Sequence, residues 1–147
     1  VKDIIVCGHT NCGAMHAAMH PDSLKEMPRV RQWLGNADAS CDIVATQYAH
    51  LPPEAKWKVM AQENVLVQLE NLRTHPAVLA ALTNGELRLH AWMYKMETGE
   101  VFAFDAEAQQ YQTLGRRSDG VVASPSGVGN GVRDSGRKYG QRRSFAI

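Results

Sequence analysis

Residues 3–8, DIIVCG, form a short apolar run that ends in glycine, the pattern of a strand buried in a parallel sheet. Residues 12–20, CGAMHAAMH, are rich in alanine and methionine and are halted by Pro21, so the chain opens on a strand, a tight loop and a helix. Thr10 or Asn11 is the expected cap, because a short side-chain oxygen there can accept a bond from an unpaired N–H of the first turn. A second helix is predicted over 28–48, with proline in its first turn and Val30, Leu34, Ala37, Cys41, Val44, Ala45 and Tyr48 recurring at steps of three and four. A third is predicted over 54–73, with its stripe at Trp57, Met60, Ala61, Val65, Leu69 and Leu72. HPAVLAALTNG reads as a short helix with proline at its start and Gly85 just past its end. The period then changes: LRLHAWMYKM alternates, ETGE supplies a turn and VFAFD returns, which makes an antiparallel hairpin. Together these elements predict an α/β fold, a mostly parallel β-sheet flanked by helices and closed by a C-terminal antiparallel hairpin strand, with no internal repeat.

Composition sharpens this picture at two places. The 147 residues, 44% hydrophobic, suffice for one domain with a real core. Residues 1–114 hold nine Lys and Arg against thirteen Asp and Glu, while residues 115–147 hold seven against two. That tail has seven glycines, five serines and few large apolar residues, too little to offset the entropy of ordering, so it is expected to be a disordered basic extension. Its arginines, Arg116, Arg117, Arg133, Arg137, Arg142 and Arg143, read as a solvated tail and not as a nucleic-acid site. No run approaches the roughly 18 apolar residues of a membrane helix. Three cysteines, an odd number without secretory features, argue against a disulfide framework, and a reducing cytosolic setting is expected. The chain begins directly on its first strand, so a partner for that strand's other side is expected from sequence upstream of Val1.

Candidate chemistry concentrates in IVCGHTNCGA, where Cys7, His9 and Cys12 fall within six residues. Imidazole nitrogen and thiolate sulfur are ligands that zinc accepts, at about 2.0–2.3 Å. Cys12 is placed at a helix start, where unpaired N–H groups favour a thiolate, and Gly8 and Gly13 allow a sharp turn. On spacing alone, metal binding and simple burial both remain open for His-x-x-Cys. Cys7 belongs to the apolar run and is expected to be a small buried hydrophobe. His16 and His20 stand four apart and read as a polar helix face, with a metal pair or proton shuttle as the alternative. Trp33, Trp57 and Trp92 read as packing anchors, and Tyr94 as a residue of the site mouth or of a strand face. His50, His75 and His90 carry no functional assignment.

IVCGHTNCGAM resembles the second zinc-binding motif of the β-class carbonic anhydrases, Gly-His-[Ser/Thr]-x-Cys-Gly-Ala. MPRVRQWLGNAD, ENVLVQLENLRTHPAV and LHAWMYKMETGEVFAFD resemble later segments of that family, in order, so the similarity runs from residue 1 to about 111. It is strongest to the bacterial and cyanobacterial branch. The resemblance implies reversible hydration of carbon dioxide to bicarbonate at a zinc ion held by two cysteines and one histidine. It makes His9 and Cys12 two of those ligands and the N–H of Gly13 a donor to substrate. It also implies a homodimer or larger homo-oligomer in the cytoplasm, with a carboxysomal location as the alternative. The family's first motif, Cys-x-Asp-x-Arg, is absent: Cys41 is followed by DIVA and sits on a predicted helix. The chain is therefore expected to be the C-terminal part of such a domain over 1–114, with weak zinc binding and little activity alone. A non-catalytic binding module on the same fold is the rival expectation.

Overall fold

A computed structural model describes residues 1–115. The chain runs β1 (Asp3–His9), α1 (Gly13–Met19), α2 (Pro28–Leu34), α3 (Asp38–Gln47), α4 (Pro53–Arg73), α5 (Pro76–Thr83), β2 (Arg88–Tyr94), β3 (Val101–Asp105) and β4 (Gln110–Thr113), with short 3-10 turns at Pro21–Leu24 and Gly35–Ala37. The four strands lie side by side in sequence order. β1 and β2 are parallel, from Asp3 opposite Arg88 to His9 opposite Tyr94. The β2–β3 and β3–β4 pairs are antiparallel. The sheet is thus mixed. The α/β class and the terminal hairpin are as expected, and the parallel component within the described residues is the single β1–β2 pair. The expected disordered tail lies outside the described residues, apart from Gly115.

Helix α4 fills the space between the sheet and α3. Being covered on both sides, it buries Val59, Met60, Ala61, Val65, Leu66 and Leu69, and even Gln62 and Glu63. A helix enclosed in this way is apolar over more than one stripe. Met60 and Leu89, both 0% exposed, mark the centre of the core, with Met93 and Val44 beside them. Glu63 is accommodated because the Tyr48 hydroxyl donates to its Oε1 at 2.9 Å, and Ser40 is satisfied by Asn64 Oδ1 at 3.2 Å. The inward residues of β2, Leu89, Ala91 and Met93, alternate with outward ones, as a strand requires.

Several expectations are corrected. The helix predicted over 28–48 is two helices, broken by the 3-10 turn at Gly35–Ala37. Asn36 causes the break to be favourable: its Nδ2 donates to the Trp33 carbonyl at 2.8 Å, and its own carbonyl accepts from Gln68 Nε2 at 3.0 Å, so backbone partners exist outside the helical ladder. Val30 and Ala45 are exposed while Leu34, Ala37, Val44 and Tyr48 are buried. Trp33 is no packing anchor, being 65% exposed. β4 adds a fourth strand with little pattern of its own, because QYQT carries one apolar residue, Tyr111. Its signal is the turn before it, where Asp105 Oδ1 accepts from the N–H groups of Glu107 and Ala108, an Asx-type turn.

Candidate metal centre

The loop between β1 and α1 begins where the β1–β2 ladder ends. His9 is opposite Tyr94, and the Thr10 N–H adds one more ladder bond, to the Tyr94 carbonyl at 3.0 Å. Asn11 then takes a left-handed backbone conformation, φ 55°, which asparagine tolerates better than most residues. Cys12 is the N-cap of α1, and its extended backbone sets the helix going without any side-chain cap. The expected caps, Thr10 and Asn11, are used elsewhere. The Thr10 hydroxyl donates to Glu97 Oε2 at 2.8 Å and Asn11 Nδ2 donates to Glu97 Oε1 at 2.5 Å, so their side chains point away from the helix.

His9 is exposed, and its Nδ1 lies 2.8 Å from the Thr10 carbonyl oxygen. A carbonyl only accepts, so Nδ1 carries the hydrogen and Nε2 keeps its lone pair for a cation. Cys12 is half-buried against the core. Its carbonyl accepts from the His16 N–H at 3.0 Å and from Trp57 Nε1 at 3.0 Å. Trp57 does pack here, but it also fixes the backbone of Cys12, a role that its place in the helical stripe did not disclose.

Cys7 is not buried. β1 has one neighbouring strand among the described residues, and α4 packs on the face holding Ile4, Val6 and Gly8. The opposite face, with Ile5 at 46% exposure and with Cys7 and His9, stays open. Partial burial still pushes the Cys7 thiol up. Cys41, on α3, is likewise raised by burial and by the carboxylates of Asp38 and Asp42, and its thiol points to the Ala18 carbonyl at 3.7 Å. Neither behaves as a ready thiolate. Among the described residues no group of three or more His, Cys, Asp or Glu side chains is placed to hold a metal. The donor chemistry of His9 and Cys12 therefore fits zinc as a partial set, one imidazole and one thiol.

Three further histidines make side-chain contacts within the fold. His16 stacks on His20 with ring centroids 4.4 Å apart and meets Trp57 edge-on at 5.2 Å. His20 Nδ1 donates to the His16 carbonyl. His90 joins Arg88 in holding Asp3: the Arg88 Nε and Nη2 donate at 2.8 and 3.0 Å, and His90 Nε2 approaches Oδ1 at 2.8 Å. These bonds, Arg88 first, hold the Asp3 carboxyl down to about 2. No described helix is long and apolar enough to cross a membrane.

The carbonic anhydrase family matches residues 1–101. Carbonic anhydrase 1 of Escherichia coli O157:H7 is 43% identical over 114 residues, covering 78% of this chain and 52% of its own length. A Synechocystis carbonic anhydrase is 44% identical over 106 residues, covering 71% of this chain and 39% of its own length. The solved β-carbonic anhydrase CcaA superposes with a TM-score of 0.75 at 40% identity, covering 80% of this chain and 53% of that one. The chain belongs to the β-carbonic anhydrase family. It spans about half the length of the relatives it matches, or less.

Proposed function

We propose that residues 1–114 are the C-terminal part of a β-carbonic anhydrase domain, and that His9 and Cys12 are two of its three protein ligands to zinc for the reversible hydration of carbon dioxide to bicarbonate. The observation that carries this reading is the His9 ring, whose Nδ1 is committed to the Thr10 carbonyl and whose Nε2 is left for a cation, three residues before a cysteine in the same loop. Zinc, when bound, supplies Lewis-acid activation of water near neutral pH. The residues of the chain hold and orient. The His9–Thr10 bond fixes the tautomer and the ring direction, and Trp57 fixes the Cys12 backbone. Gly13 has open space where a side chain would stand, which lets carbon dioxide or bicarbonate approach its N–H.

The third ligand and the aspartate–arginine pair come from outside these 147 residues, since the sequence has no Cys-x-Asp-x-Arg. Assembly into a homodimer or larger homo-oligomer would cover the open face of β1 around Ile5 and Cys7. The same missing motif favours a second reading, a non-catalytic module on this fold. Zinc uptake by the 147-residue chain is expected to be weak and to disappear in both His9→Ala and Cys12→Ala. Uptake unchanged in both variants would overturn the ligand assignment, and tight stoichiometric zinc with rapid hydration from the chain alone would overturn the outside third ligand. Fusing the chain to the portion of the Escherichia coli relative that it does not cover is expected to yield carbon dioxide hydration. A zinc-loaded but inactive fusion would favour the non-catalytic module.

A further inference from the structure

The His9-x-x-Cys12 loop is tied to a turn more than 80 residues away in sequence, and two side-chain ties converge on one carboxylate. Glu97, in the turn between β2 and β3, accepts from the Thr10 hydroxyl with one oxygen and from Asn11 Nδ2 with the other. Thr10 Oγ1 in turn accepts from the Met96 N–H at 2.9 Å. The two residues between the ligands are thus both held by a single side chain. Such bonds to a carboxylate are stronger than neutral ones, and the Thr10 hydroxyl, together with Glu97's own backbone N–H and Asn11, holds the Glu97 carboxyl below the usual range.

The turn itself does not need this side chain. It is closed by Lys95 N–H to the Glu100 carbonyl at 2.8 Å and by Gly99 N–H to the Lys95 carbonyl at 2.8 Å, with Gly99 at φ 73°. Thr98 and Lys95 both engage Glu100 within the turn. Asn11 shows the same division: an asparagine in the left-handed region commonly bonds its own backbone, and here its amide is spent on Glu97.

We infer that Glu97 is a positioning residue for the metal-ligand loop, a latch that fixes the spacing of His9 and Cys12 through Thr10 and Asn11. This rests on the reading of His9 and Cys12 as ligands. An outer partner that orients a ligand typically accounts for 10- to 100-fold in metal affinity. Glu97 acts one step further out, through the loop, so the lower end applies.

The test is a titration of the full 147-residue chain with cobalt(II), followed by thiolate-to-cobalt absorption, beside amide hydrogen exchange at Thr10 and Met96. Glu97→Ala is expected to weaken cobalt binding about tenfold and to speed exchange at both amides, with exchange in α4 and the thermal midpoint unchanged. Glu97→Gln keeps one acceptor oxygen and is expected to recover most of the affinity. Cobalt affinity in Glu97→Ala equal to that of the unsubstituted chain would overturn the latch. If Glu97→Ala loses its fold, Thr10→Val reports on the same tie, and full affinity there overturns the latch equally. An unsubstituted chain without any cobalt–thiolate band refutes the ligand reading instead. In that case unchanged exchange at Thr10 and Met96 refutes the latch as well, and accelerated exchange upholds it as a property of the loop.

Discussion

Gly8 shows how a single residue lets the sheet and the central helix meet. A Cβ built there would stand 2.6 Å from Val65 Cγ2 and 2.8 Å from Met93 Sδ. Neither distance is compatible with contact, and Val65 is a stiff β-branched residue on a buried helix. Gly8→Ala must therefore push α4 away from β1 or distort the strand that ends at His9. The expected cost is about 1–3 kcal/mol, as for overpacking elsewhere, read as a lower urea midpoint with an unchanged slope. A midpoint equal to that of the parent chain would show that α4 yields freely. Gly13, by contrast, has nothing within 4 Å of such a Cβ, so space alone does not require glycine there.

At the scale of elements, the β1–β2 pair is the junction on which the site is built, because it joins residues more than 80 positions apart. Its far end is clasped by Asp3 with Arg88 and His90. The Asp3 carboxyl titrates at about 2 in the folded chain and near ~4 when unfolded, so the folded state binds fewer protons. The clasp's contribution is thus complete above pH ~4 and is lost as pH falls towards ~2. All three side chains are partly or largely exposed, so salt screens the clasp and its effect is small. The difference in thermal midpoint between the parent chain and Asp3→Asn is expected to shrink from pH 5 to pH 2 at low salt. A difference independent of pH over that interval would exclude the clasp as the source.

For the molecule as a whole, the core and the candidate centre are separable. The core assembles around Met60, Leu89, Met93 and Val44, whereas the centre lies at a strand end, with His9 exposed and with two donors of the three that zinc requires. A ligand stabilises a fold only in proportion to the logarithm of its concentration over its dissociation constant. Chelator is therefore expected to shift the thermal midpoint of the 147-residue chain by no more than ~2 °C, about half a kcal/mol for a domain of this size. A fall of ten degrees or more would show instead that metal is part of the folding energy.

The local pattern of the chain was enough to place most elements and the strand-to-helix loop. An apolar run ending in glycine, prolines at the starts of α2, α4 and α5, Gly85 after α5 and the ETGE turn are signals carried within a few residues, and each specifies backbone geometry directly. The placement of His9, Cys12 and Gly13 at a strand-to-helix turn was legible for the same reason, whereas their roles at a metal rest on the resemblance. What required the tertiary structure was everything that depends on the far side of a contact. Cys7 looks buried in the sequence because an apolar run reads as a strand of a parallel sheet, covered on both faces, but the face it shares with His9 is open. Trp33 looks like a packing anchor by its size and still points out, at 65% exposure. Glu97 and Trp57 meet the loop from 86 and 45 positions away, and β4 forms because Asp105 turns the chain. Sequence spacing determines which groups a segment offers, whereas only the folded chain decides which distant groups face them, since that follows from packing around α4 and not from any local preference.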